Sequence, residues 1–117
     1  MNTLAAPMPA MQAVVHDMDR VRIERALRQR VRYRYVQPQV ERAPSAPGWV
    51  VSSPCCSRNI DPSGGVISIA WLEPAEGMWS LYFRDHVHDR WVLHDECHHL
   101  QPLLDEVCLD PTRVFWP

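Results

Sequence analysis

Apolar residues recur along this chain first at helical and then at strand spacing, and the change of period divides it. Residues 1–10, with Pro7 and Pro9 among alanines and methionines, carry no period able to bury a face and read as a loose tail. Residues 11–117 read as one domain. Within 11–31, Met11, Val14, Val15, Met18 and Val21 share one helical face, while Ile23, Ala26, Leu27 and Val31 rotate onto another. Asp17 and Asp19 suit an N-cap between the two sets, so a firm helix is expected from about 19 to 31.

Alternation then takes over. Residues 32–42, β-branched and aromatic, predict a strand that Pro38 confines to an edge or a bulge. Further strands are expected at 49–53, 66–73, 78–86 and 90–95, with a long turn-rich loop at 55–65. Pro102 suits the first position of a closing helix over 102–109, whose Leu103, Leu104, Val107 and Cys108 form an inward stripe. Val114, Phe115 and Trp116 follow as an apolar clasp. The fold class expected is α+β, a five-stranded, mainly antiparallel meander covered on one face by the two helices.

Keeping one sheet face apolar selects the odd positions Ile67, Ile69, Trp71, Trp79, Leu81, Phe83, Trp91 and Leu93 as core. It also requires a loop of odd length, 87–89, between the strands at 78–86 and 90–95, with His86 opposite Arg90 and Tyr82 opposite His94. The even face would then carry Tyr82, Arg84, His86, Arg90 and His94, basic and aromatic together.

Composition narrows the class. The chain has 117 residues, 46% apolar and 22% charged, enough for one small core and too regular for disorder. No run of eighteen apolar residues and no basic residue ahead of the N-terminal apolar stretch argue for a soluble, cytoplasmic protein with no membrane role. Net charge is only −2, yet the charge is segregated. Residues 20–42 hold eight arginines against Glu24 and Glu41, and the last third is acidic. The simplest expectation is that the two regions neutralise each other within the fold.

Candidate chemistry centres on the loop. In SPCCSRNIDPSGG, residues 53–65, the vicinal Cys55 and Cys56 precede Arg58, whose charge favours a thiolate. Packing of one thiol inward is the plainer reading. Nucleophilic catalysis would draw on Cys55, Cys56, His86 and His94. Asp85 alternates away from His86, which removes the simplest pairing of base and orienting acid. Zinc would draw on these residues with His88, Cys97, His98 and His99, but no Cys-x-x-Cys pair is present, so no cofactor is expected. The leading expectation is a non-enzymatic module for a small anionic ligand or a protein partner. It would bind through Arg58, Tyr82, Arg84, His86, Arg90 and His94, where the 55–65 loop meets the even face. Two alternatives are a thiol- or zinc-dependent activity at the same place, and single-stranded nucleic acid stacked on the sheet.

The run at 53–65, with RYRYV at 32–36, Arg84-Asp85-His86 and RWVLH at 90–94, resembles a family of small bacterial proteins classed as a domain of unknown function. The likeness covers about residues 20–117 and departs at His98, His99 and Pro102. It implies a compact single domain and brings no activity with it.

Overall fold

The computed structural model of the chain describes residues 8–55 and 60–117, with side chains from residue 17 onward. Helix α1 spans Met8–Leu27, starting earlier and ending sooner than its periodicity suggests. Of its described side chains only those near its C-terminal end reach the core: Ile23 and Leu27, one turn apart, are buried, whereas Met18 and Val21 face outward.

The end of α1 has a visible cause. The amides of Arg28, Gln29 and Arg30 turn back to the carbonyls of Arg25, Ala26 and Leu27, tightening the last turn. The Arg30 guanidinium then collects the carbonyls of Leu27 at 2.9 Å, Tyr33 at 2.7 Å and Val36, and sits over the Trp116 ring. Residues 28–36 are thereby wound around one buried cation. This is why the strand expected over 32–42 shrinks to β1, Gln39–Arg42.

The sheet continues with β2 (Trp49–Pro54), β3 (Val66–Ala75), β4 (Met78–Asp85) and β5 (Arg90–Cys97), in the order β1-β2-β3-β4-β5 and antiparallel throughout. The α+β class, with a five-stranded open sheet and one helix near each end of the chain, is as expected. Helix α2, Leu100–Leu109, buries Leu100, Leu103, Leu104, Val107 and Cys108. Pro102 is its third residue, not its first. Asp110 adopts left-handed backbone after α2, and its carboxylate accepts the amides of Val114, Phe115 and Trp116 at 2.7–3.1 Å. Phe115 and Trp116 are thus folded back into the core, both about 98–99% buried.

The division of the sheet faces departs from simple alternation. Cross-strand partners share a face. One set runs Trp49, Leu72, Leu81 and Asp95, another Val51, Ala70, Phe83 and Val92, and both lie beneath the helices. The opposite face carries Val50, Trp71, Tyr82 and Leu93, then Arg84 with Trp91. Trp71, Trp91 and Leu93, expected in the core, therefore lie on the open face. The physical reason is two β-bulges and the hairpin. Ile69 has no partner opposite Val51 and Ser52, which reverses the parity of β3, so that Ile69 and Ala70 are both buried. The β4–β5 loop has four residues, 86–89, so Asp85 faces Arg90 and Tyr82 faces Leu93. A second bulge at His94 reverses parity again.

Candidate anion-binding site

The residues expected to form one site are placed in separate surroundings. Tyr82 and Arg84 share the open face. The Tyr82 ring stacks on Trp71 at 4.3 Å between centroids, and its hydroxyl donates to Glu73 Oε1 at 2.8 Å. Burial and the Glu73 carboxylate raise its pKa. Arg84 lies over the Trp91 ring, 5.1 Å from its centroid, and pairs with Asp89. Arg90 pairs with Asp85 at 3.2 Å. Asp85 also accepts from His88, at 2.9 Å to the imidazole Nδ1, and that contact foremost holds the carboxyl down at about 2.

His86 stands in the β4–β5 turn, outside β4, and its Nε2 is enclosed with no hydrogen-bond partner among the described residues. Burial lowers its pKa. His94 points to the helix side of the sheet, where its Nε2 lies 3.2 Å from Glu106 Oε1 and its ring meets Phe83 and Phe115 edge-on. Beside it the Asp95 carboxyl is held below the ordinary range by a hydrogen bond with Glu106. Burial, with Asp95 alongside, pushes Glu106 up to about 7. Cys56 and Arg58 lie outside the described residues.

Cys55 is half-buried and its amide donates to Gly65 O at 2.7 Å, closing the loop. The Asp61 carboxylate orders the far side by accepting from Ser63 and Gly65. Burial pushes the Cys108 thiol up to about 11, which keeps it protonated near neutral pH. Among the described residues no three His, Cys, Asp or Glu side chains are grouped to hold a metal ion.

The arginines of 20–42 behave differently from the expectation of internal neutralisation. Arg22 pairs with Asp19 at 3.6 Å. Arg30 and Arg32 bond backbone carbonyls, Arg32 reaching those of Asp110 and Pro111 at 3.2 and 3.3 Å. Thus Arg32 takes its carbonyls from the acidic third, whereas Arg30 takes its own from Leu27, Tyr33 and Val36. Arg20, Arg25, Arg28, Arg34 and Arg42 carry no ion pair among the described residues.

Two of these five meet at one place. Arg42 is the direct partner of Trp49 across the β1–β2 ladder, and its Cζ is 5.4 Å from the Trp49 ring centroid. Arg20 comes down from α1 to 6.0 Å from the same centroid. The indole is fixed, being 2% exposed. Its position is set by Gly48, whose φ of 105° and contact with β3 admit no side chain: a Cβ would stand 2.1 Å from Leu72 O. A cavity of about 110 Å³ beside the indole is lined by Arg42, Ala43, Ala46, Pro47, Gly48 and Trp49, and a separate one of about 210 Å³ is lined by Glu24, Leu27, Arg28, Arg30, Gln37, Pro38 and Val40. The local charge of 20–42 was the available signal for this corner. The meeting of Arg20 with Arg42 was beyond it, because it needs α1 laid beside the edge strand.

No helix among the described residues is long and apolar enough to cross a membrane. No curated protein matches the chain, and no solved structure does. A family profile matches residues 9–117, nearly the whole chain, and on that ground the chain belongs to the family described as Domain of unknown function (DUF3024).

Proposed function

We propose that this protein is a non-enzymatic binding module for an anionic ligand, bound on the α1–β1 side. The observation that carries the reading is the unequal pairing of its cations. Arg84 and Arg90 each hold a carboxylate of their own, while Arg20, Arg25, Arg28, Arg34 and Arg42 hold none among the described residues. Guanidiniums without a carboxylate partner attract anions, and their planar forks suit phosphate and carboxylate. This reading shifts the site away from the β4–β5 hairpin and the 55–65 loop. It favours a ligand over stacked nucleic acid, because Trp71 and Tyr82 already spend their ring faces on each other and Arg84 covers Trp91. The reading includes a bacterial, cytoplasmic setting, with reduced thiols, and takes the run at 53–65 as a family signature.

The test is a titration of the labelled protein with inorganic phosphate, pyrophosphate, a short single-stranded oligonucleotide and an acidic peptide, followed by amide shifts. Shifts concentrated in residues 18–30 and 39–49 that weaken with salt are expected. Shifts confined to residues 84–94 would return the site to the hairpin. No response to any anion would sink the proposal.

A further inference from the structure

We infer that this protein has a second site, of opposite sign to the first, in the cavity between β5, the end of α2 and the returning C-terminal residues. It takes a small amphipathic amine, with the ammonium group at Glu106 and the carbon body against an apolar wall. The cavity measures about 340 Å³, at the lower end of the roughly 300–1,000 Å³ usual for small-molecule sites. Leu109, Pro111, Val114 and Phe115 line it with carbon, and His94, Glu106 and Thr112 bring polar groups to it. His94 and Glu106 thus both face the cavity and touch each other, Nε2 to Oε1 at 3.2 Å. The His94 ring also meets Phe115 edge-on, 5.1 Å between centroids, which joins the polar end of the cavity to its apolar floor.

The sign of the ligand follows from the charges around Glu106. Among the described residues the lining holds three acids and no arginine. Two of the acids are committed: Asp110 accepts the amides of Val114, Phe115 and Trp116, and Asp105 accepts from Gln101 at 2.9 Å. Glu106 instead faces Asp95 of β5, which stands outside the lining, and a hydrogen bond between two carboxyls needs a proton. Burial and Asp95 hold that proton on Glu106 up to about pH 7, so near neutrality it is readily exchanged for another positive partner. An ammonium donating to Glu106 from the cavity takes that place, and the proton passes to solvent. A ligand carboxylate would be repelled there, and a neutral alcohol would gain the apolar wall alone. Arg32, on the carbonyls of Asp110 and Pro111, and the exposed Arg113 are cations beside the cavity. Neither loses its charge near neutrality, and a protonated His94 would repel the ammonium, so affinity should rise with pH.

Phenethylamine, phenethyl alcohol and phenylpropionate share one carbon body and differ in their polar group. Each is titrated into the full chain while the amides of residues 94–95 and 105–115 are followed. The amine should bind about tenfold tighter than the alcohol, and the carboxylate should give no shift. Raising the pH from 5 to 8 should tighten the amine by about tenfold and leave the alcohol unchanged. Glu106→Gln should remove both the preference for the amine and its pH dependence. Leu109→Ser, at an exposed position of the wall, should weaken amine and alcohol alike. The pH profile of the native protein decides the matter even if a variant fails to fold. Equal affinity for amine and alcohol, a pH-independent amine affinity, carboxylate binding as tight as that of the amine, or no shift in these residues would each overturn the inference. The reading of the α1–β1 side is decided separately, by the anion titration.

Discussion

Two groups of arginines sit at opposite ends of the sheet, and the contrast between them separates charge from available charge. At the β4–β5 hairpin, Arg84 and Arg90 are matched one to one by Asp89 and Asp85 within five residues of sequence. At the α1–β1 corner, Arg20 and Arg42 reach the same indole from distant parts of the chain, and neither pairs with a carboxylate among the described residues. Both groups contain cations over tryptophans. Among the described residues, the second group has no carboxylate on its hydrogen-bonding forks. A third behaviour lies between them, in Arg30, which is 4% exposed and acts as a staple for backbone carbonyls. Equal residue types thus divide into a paired, a structural and an unpaired class according to what the fold brings within reach.

The largest expected effect tests which tryptophans are structural. Trp49→Ala should cost about 3–5 kcal/mol in urea melts, the usual loss for deleting a buried aromatic. Trp71→Ala, on the open face and half-buried, should cost about 1–2 kcal/mol. Equal losses at the two positions would mean that the sheet faces are not distinguished as described. Next, Arg30→Met should destabilise by about 2–3 kcal/mol, because three carbonyls lose a charged donor in a part-buried setting. Arg20→Ala should stay within about 0.5 kcal/mol. A large loss for Arg20→Ala would move it from the unpaired to the structural class.

The acidic third has its own signature in pH. Glu106 has a folded-state pKa raised to about 7 from an ordinary 4.5, so its contribution to stability is fully present below about 4.5 and is lost as pH rises through about 7. Asp95, depressed, contributes in the opposite sense at low pH. The melting temperature of the native protein should therefore fall between pH 5 and 8 more than that of Glu106→Gln. Matching pH profiles would show that the Asp95 and Glu106 carboxyls do not share a site. The smallest effect sharpens the comparison most. Asp85→Asn/Asp89→Asn should leave the melting temperature little changed, since ion pairs open to water contribute little. It should also create salt-sensitive phosphate binding at Arg84 and Arg90. Absence of any new binding there would show that pairing is not what distinguishes the hairpin from the corner.

Much was legible in the residues themselves. Strand β2 and the loop after it, the three C-terminal strands, the stripe of α2 and the returning Phe115 and Trp116 followed from period, turn residues and apolar content, because these are local signals. The limits of local reading show at Arg30 and Ile69. Alternating aromatics predict a strand at 32–36, but one guanidinium converts them into turns. Strict alternation sends Trp71 inward, but an unmatched Ile69 sends it outward.

The sequence by itself determined the fold class, the single small core and the concentration of arginine in residues 20–42, since each depends only on composition and on the spacing of neighbours along the chain. Tertiary structure alone decided the sheet faces, the split of His94 from Tyr82, and which arginines remain unpaired. Bulges alter side-chain direction by one residue without any mark in composition. Ion pairing depends on distances between segments, and no periodicity encodes the approach of α1 to β1 that brings Arg20 and Arg42 to the same indole.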